Sequence, residues 1–171
     1  MAFSPEIRRL VPEDAQVYRA IRLEALARAP DSFSATHGVE AARPLADFAA
    51  RLSEAAVFGA FLGEDIVGMA AFKQEPGLKT CHKGFVWGVF VAASTRGMGL
   101  GAALLNVVME AAWRDVEQLT LSVVADNAPA IALYRACRFE PYGVEPRALK
   151  TEAGFVDELL MVCFRPNARS R

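Results

Sequence analysis

Hydrophobic positions along this chain change their spacing several times, and each change marks a predicted element. Ile7 to Val11 is a short apolar run halted by Pro12, which reads as a first strand. Pro12, Glu13 and Asp14 then place a proline and two acids where a helix start favours them. Val17, Tyr18, Ile21 and Ala25 recur at helical spacing, so a helix is predicted that stops before Pro30. Asp31 to Arg43 shows no period and reads as loop, and a second short helix is predicted from about Pro44 to Glu54. Val57 to Leu62 and Ile66 to Phe72 are strand-like runs joined by Gly63-Glu64-Asp65, a hairpin signal. After a turn at Pro76-Gly77, the run Phe85 to Val91 is apolar at odd and even positions alike, which predicts a strand covered on both faces.

A glycine-rich turn follows at Arg96–Gly101, then a helix with Leu100, Leu104, Val107, Val108 and Ala111 on one face. Leu119, Leu121 and Val123 alternate with Thr120, Ser122 and Val124 in a further strand. Asn127 opens another helix, with Pro129 in its first turn and Ala130, Leu133, Tyr134 and Cys137 on a common stripe. Glu158 to Phe164 is a last apolar strand before a polar, basic tail over about 165–171. The order βααβββαβαβ predicts the α/β class: a mixed, mostly antiparallel central sheet with helices on both faces, in one domain spanning 1–171.

Composition narrows the function classes. With 171 residues, 53% of them apolar, the chain can bury a sizeable core and does not have the make-up of a disordered segment. A net charge of −1 offers nothing to a polyanion, so no nucleic acid partner is expected. Cys81, Cys137 and Cys163 are an odd count without metal-ligand spacing, which fits free thiols in a reducing compartment and no metal. The first residues lack the basic and apolar regions of a signal peptide, and no apolar run reaches membrane-spanning length. The expectation is a cytoplasmic protein without a membrane partner, with a homodimer left open.

The turn Arg96-Gly97-Met98-Gly99-Leu100-Gly101 carries the chemistry. Three glycines remove the Cβ atoms that would hold an anion away from the backbone, and the helix behind them starts with unpaired N–H groups and partial positive charge. Arg96 adds a full charge. A pyrophosphate is the expected guest. Two other readings stand beside it. Gly97-x-Gly99-x-x-Ala102 also satisfies the dinucleotide fingerprint, with Asp126 at a following strand end, although a dinucleotide fold needs repeated βαβ units and only one such crossover precedes Asn127. The glycines could also serve strand–helix packing alone.

At these residues the chain resembles the Gcn5-related N-acetyltransferase (GNAT) family. The family signature Arg/Gln-x-x-Gly-x-Gly/Ala is matched by Arg96 to Gly101, directly after the buried strand ending Val89-Phe90-Val91. A second family block, Asn-x-x-Ala-x-x-Leu-Tyr, is matched by Asn127, Ala130, Leu133 and Tyr134, with Phe139 following and Arg138 where the family often has glycine. The resemblance implies a cofactor-binding core over about 84–138. There Arg96, Gly97, Met98, Gly99, Leu100, Gly101 and Ala102 hold the pyrophosphate of acetyl-CoA. The pantetheine arm pairs with the backbone of Val89, Phe90 and Val91, and Asn127 caps its own helix or touches the cofactor.

It further implies transfer of an acetyl group to a primary amine, with Tyr134 as general acid toward the departing thiolate. A backbone N–H near Val89 or Phe90 serves as oxyanion donor. The acceptor is expected to be a small molecule or amino acid; a peptide or protein amine and a non-catalytic acyl-CoA sensor are the alternatives. Many relatives carry a glutamate in the strand matching Phe85–Val91, and here those positions are apolar. His82, Glu24 and Glu158 are the remaining candidates for the base, and histidine is the side-chain type that changes charge near neutral pH. Glu24, Phe33 and Glu158 are candidate acceptor contacts, and Arg22 and Phe48 could join them, although helix-surface or core roles compete. Acceptor choice is expected to lie in Asp31–Arg43, the first helices and the connection Tyr142–Asp157.

Overall fold

Asp14 opens the fold by holding two neighbours at once. Its carboxylate accepts the Val11 N–H at 2.9 Å and ion-pairs with Arg8 at 2.7 Å, fixing a 3₁₀ turn at Pro12–Asp14. This turn passes the chain from strand Glu6–Arg9 (β1) to helix Ala15–Arg28 (α1) in the computed structural model, which describes residues 5–166. Most of the predicted basic tail, residues 167–171, lies outside the described residues.

Two helices follow, His37–Ala41 (α2) and Leu45–Glu54 (α3), then strands Ala56–Leu62 (β2), Asp65–Gln74 (β3) and Lys83–Val91 (β4). Helix Leu100–Ala112 (α4), strand Gln118–Val124 (β5), helix Ala128–Ala136 (α5) and strands Glu140–Thr151 (β6) and Gly154–Phe164 (β7) complete the order. The seven strands form one sheet in the order β1-β2-β3-β4-β5-β7-β6. Every neighbouring pair is antiparallel except β4–β5, which the α4 crossover makes parallel. The predicted mixed α/β architecture is therefore the observed one.

The core sits over the middle of the sheet. Val57–Phe61 and Val67–Phe72 are buried or nearly so at consecutive positions, as strands covered on both faces must be. Tyr18, Ile21 and Ala25 of α1 and Phe48 and Leu52 of α3 pack on one side; Leu100, Leu104, Leu105 and Val108 of α4 pack on the other. No helix among the described residues is long and apolar enough to cross a membrane.

Two segments depart from the sequence expectation. Asp31–Arg43, expected as loop, contains a 3₁₀ turn at Pro30–Ser32 and the short helix α2. Tyr142–Asp157, expected as a connection, is most of a long hairpin: β6 runs the length of β7, which starts at Gly154 rather than Glu158. β6 is the edge strand and mostly exposed, so nothing imposes an apolar alternation on it, and an edge tolerates Pro141 and Pro146.

The third departure shapes the site. β4 and β5 pair only at Lys83–Gln118, Gly84–Leu119 and Phe85–Thr120. Beyond those rungs β4 stays on β3 and β5 stays on β7, so the sheet parts between 86–91 and 121–124. The cause lies in β4: Ala71 faces Trp87 but Met69 faces Phe90, one extra residue on the β4 side, with Gly88 at φ +65°. Such a bulge bends its strand away from a neighbour, and the left-handed angle calls for glycine. At the last rung before the opening, Phe85 is 39% exposed rather than covered on both faces.

Candidate active site

The glycine turn has the backbone that its composition implies. Gly97 and Gly99 take φ values of +81° and +75°, and Gly99 is the N-cap of α4. A Cβ at either position would meet nothing within 4 Å, so these two are glycine for conformation and leave open space in front of the backbone. Gly101 differs, since a Cβ there would lie 3.0 Å from Leu133, and its bareness lets α4 approach α5. The packing reading therefore holds for Gly101, alongside whatever the turn binds. Among the described residues, the N–H groups of Gly97, Gly99, Leu100, Gly101 and Ala102 have no protein acceptor. Arg96 and Met98 are exposed at the rim, while Leu100 is anchored in the core. The dinucleotide alternative loses its architecture here, because the sheet has one parallel pair and no second βαβ unit.

Where β4 and β5 part, two clefts adjoin. The first, of about 190 Å³, is walled by Phe33, Phe85, Trp87, Gly88, Ser122 and Glu158. The second runs along Val89, Phe90 and Val91 toward Arg96, Pro129 and Leu133. Val89, Asn127, Ala130 and Tyr134 line both. Asn127 accepts the Ala130 N–H at 3.3 Å and so caps α5, which fixes the orientation of the helix that carries Tyr134. Tyr134 is 8% exposed, edge-on to Phe139 at 6.1 Å between ring centroids, and burial pushes its phenol up to about 12. It stays protonated through any physiological pH, a donor at the junction of the two clefts.

The structure separates the other candidates. Phe33 lines both clefts, and Glu158 is the only carboxylate among the residues lining the first. Asp157 is engaged elsewhere, its carboxylate accepting the Arg147 N–H at 2.7 Å. Glu24 is exposed on α1 and lines neither cleft. His82 is a correction of place: it precedes β4 at the end opposite the bulge, roughly 20 Å from Val89 along the strand. It is exposed, and its carbonyl accepts the N–H groups of Glu117 and Gln118 where β5 begins. Phe48 is a core residue, wholly buried against Tyr18.

Arg22 is buried beside the aromatic side of the first cleft. It is 7% exposed, its Nε has no partner, and its guanidinium lies 5.3 Å from the Phe33 ring centroid and 5.9 Å from that of Trp87. The available signal was its place on the Tyr18/Ile21/Ala25 stripe, where an arginine is out of character.

Comparison with known proteins agrees with this geometry. A mycothiol acetyltransferase from Brachybacterium faecium is 29% identical over 147 residues, covering 82% of this chain and 42% of that protein. The chain thus spans less than half the length of that curated relative. A GNAT-family acetyltransferase from Streptococcus pneumoniae superposes with a TM-score of 0.85 at 23% identity, covering 95% of this chain and 100% of the other. The yncA protein of Salmonella typhimurium, solved with its cofactor acetyl-CoA, superposes at 0.83 with 19% identity and 98% coverage of each chain. The model of the acetyltransferase (GNAT) family matches residues 21–139. That span runs from α1 through the bulged strand, the glycine turn and the capped helix bearing Tyr134, and the chain belongs to the GNAT acetyltransferase family.

Proposed function

We propose that this protein transfers an acetyl group from acetyl-CoA to the primary amine of a small molecule or amino acid, by direct attack within a ternary complex. The observation that carries the proposal is the convergence at the parted strands. A protonated buried phenol and an unpaired strand edge line two adjoining clefts, and the second reaches Arg96, the first residue of the turn whose helix-start N–H groups are unpaired. The residues fit a CoA thioester. Gly97, Gly99, Leu100, Gly101 and Ala102 offer N–H groups to the pyrophosphate with Arg96 beside them, and Val89–Val91 offer backbone pairing to the pantetheine amides.

The chemistry asked of the chain is modest and specific. The amine nitrogen forms a bond to the thioester carbonyl carbon, the C–S bond breaks, and an amide and CoA thiol result. A backbone N–H near Val89 faces the charge developing on the carbonyl oxygen. Tyr134 donates to the leaving sulfur. A thiol has a reference pKa of roughly 8.5, so full proton transfer from a phenol near 12 is uphill, and the tyrosine acts by hydrogen bonding while solvent completes protonation. Freeing an amine of pKa near 10.4 from its proton at pH 7 costs roughly 4.6 kcal/mol. Glu158, which lines the first cleft, is our candidate to accept that proton, directly or through a water, in place of the strand glutamate that β4 lacks. The first cleft falls below the roughly 300–1,000 Å³ of drug-sized sites, which supports a small acceptor.

Thiol release from acetyl-CoA across an amine panel tests the proposal. Turnover with at least one small amine, reduced at least tenfold by Glu158→Gln, is expected. Tight CoA binding with no turnover on any amine would replace it with a sensor role.

A further inference from the structure

Arg22 is a charge in the wrong place unless something meets it. Placing a guanidinium in a wall of aromatic and aliphatic groups strips its water, and buried charges are ordinarily paired. Among the described residues no side-chain hydrogen bond or salt bridge involves Arg22, and its Nε is both buried and unsatisfied. The acid that could have served, Glu40, is taken: it is buried on α2 and receives both arms of Arg51, at 3.1 and 3.2 Å. Burial accordingly lowers the Arg22 pKa from its ordinary value.

Its immediate neighbours line the first cleft. Phe33 and Trp87 flank the guanidinium within cation–π reach, and both line that cleft. Gly88, at the β4 bulge, lines it as well. A Cβ at Gly88 would stand 3.9 Å from the Arg22 Nη1, which puts one arm of the fork beside the bulge. The same cleft holds Glu158, and Arg22 lies directly behind the Phe33, Trp87 and Gly88 that line it. A guanidinium held between aromatic rings presents its N–H edge, the geometry that a planar carboxylate matches bidentately.

We propose that Arg22 binds the carboxylate of the acceptor, and that the acceptor is an amino acid or short amino-carboxylate whose ammonium end lies toward Glu158. The inference rests on the acetyl-transfer reading above and specifies its substrate class. Arg22 is then a binding residue that makes one end of a zwitterion fit and rejects the neutral analogue, for which the guanidinium would stay buried and unpaired.

Matched acceptor pairs test it: α- and β-amino acids against their own carboxamides, assayed by thiol release with acetyl-CoA saturating. The amide member has the less basic amine, so intrinsic availability favours it, and a carboxylate preference must come from the protein. For the wild-type enzyme the carboxylate member of the best pair should lead in kcat/KM by roughly 10- to 100-fold, the range of a charge-assisted contact. Arg22→Met should collapse that ratio to near one, mainly through KM of the carboxylate, with acetyl-CoA affinity by calorimetry unchanged; Arg22→Lys should restore part of it. Should Arg22→Met fail to fold, the wild-type protein still decides the matter: propionate should compete with the acceptor and propionamide should not. Amines turned over without carboxylate preference, or both members of a pair slowed equally by Arg22→Met, would overturn this inference alone. No turnover with any amine would overturn the acetyl-transfer reading and this inference with it.

Discussion

Tyr134 carries a proton that it is poorly disposed to give away, and that fixes what its loss should do. With the phenol at about 12, it does not titrate between pH 6 and 10, so no limb of a pH–rate profile in that range belongs to it. Tyr134→Phe should lower kcat about tenfold, less than the roughly 10²–10⁴-fold of a full general acid, because it removes a hydrogen bond rather than a full proton transfer. The acetyl-CoA dissociation constant and the shape of the pH profile should be unchanged, as steady-state kinetics and calorimetry would report. Wild-type turnover in the variant would remove the tyrosine from the mechanism. At this scale the sequence is legible where spacing encodes backbone: the glycine turn and the Asn127–Tyr134 block could be located before any fold was known. Arg138 belongs with them. It stands where the resemblance leads one to expect glycine, and it takes φ +69° after α5, the strained angle that glycine would accept freely. What spacing could not reveal was burial without a partner. On an apolar helical stripe Arg22 is out of character, but only the packing of Phe33 and Trp87 around it shows that its guanidinium is buried and unpaired. His82 misled in the opposite way, since closeness in sequence to a reactive strand says nothing about which end of that strand carries the chemistry.

Elements were legible in proportion to how strongly the core dictates them. β2, β3, β5 and α4 each bury a full face, and their apolar spacing says so. β6 buries little and is held by its pairing with β7, so a run of prolines, glycine and charges concealed a strand twelve residues long. The first helix depends on a smaller device, the Asp14 carboxylate. Its hydrogen bond from Arg8 and that from the Val11 N–H hold it below the ordinary aspartate value, with partial burial opposing. A depressed folded-state pKa contributes stability that is fully present above the unfolded value, near 3.9, and is lost as pH falls through the lower folded value. Arg8 is 40% exposed, so solvent screens the pair and the contribution at neutral pH stays under about 1 kcal/mol. Asp14→Asn should therefore lower the melting temperature by no more than about 4 °C at pH 7 and by progressively less below pH 4. Thermal melts across pH 2–7 would check it; a constant difference at every pH would mean that the charge is irrelevant.

Across the whole molecule, the property that matters is an interrupted sheet. Seven strands share one ladder except where β4 and β5 separate, and there residues 86–91 keep a backbone edge with no neighbour on the β5 side. If the pantetheine arm pairs with that edge, acetyl-CoA should slow amide hydrogen exchange within 86–91 and at Gly97–Ala102 by at least tenfold. The exposed strand β6 should be unaffected. Protection confined to β6 and β7 would place the cofactor elsewhere.

Two adjoining hollows that meet beside one phenol have a pharmacological corollary. A molecule in which the CoA sulfur is tethered by a two-carbon bridge to the nitrogen of an amino acid would fill both at once. The second half would then bind at the high effective concentration set by a short tether, without a second loss of translational freedom. Such a bisubstrate compound should outcompete either fragment by orders of magnitude, and its carboxylate would be the natural handle for tuning selectivity.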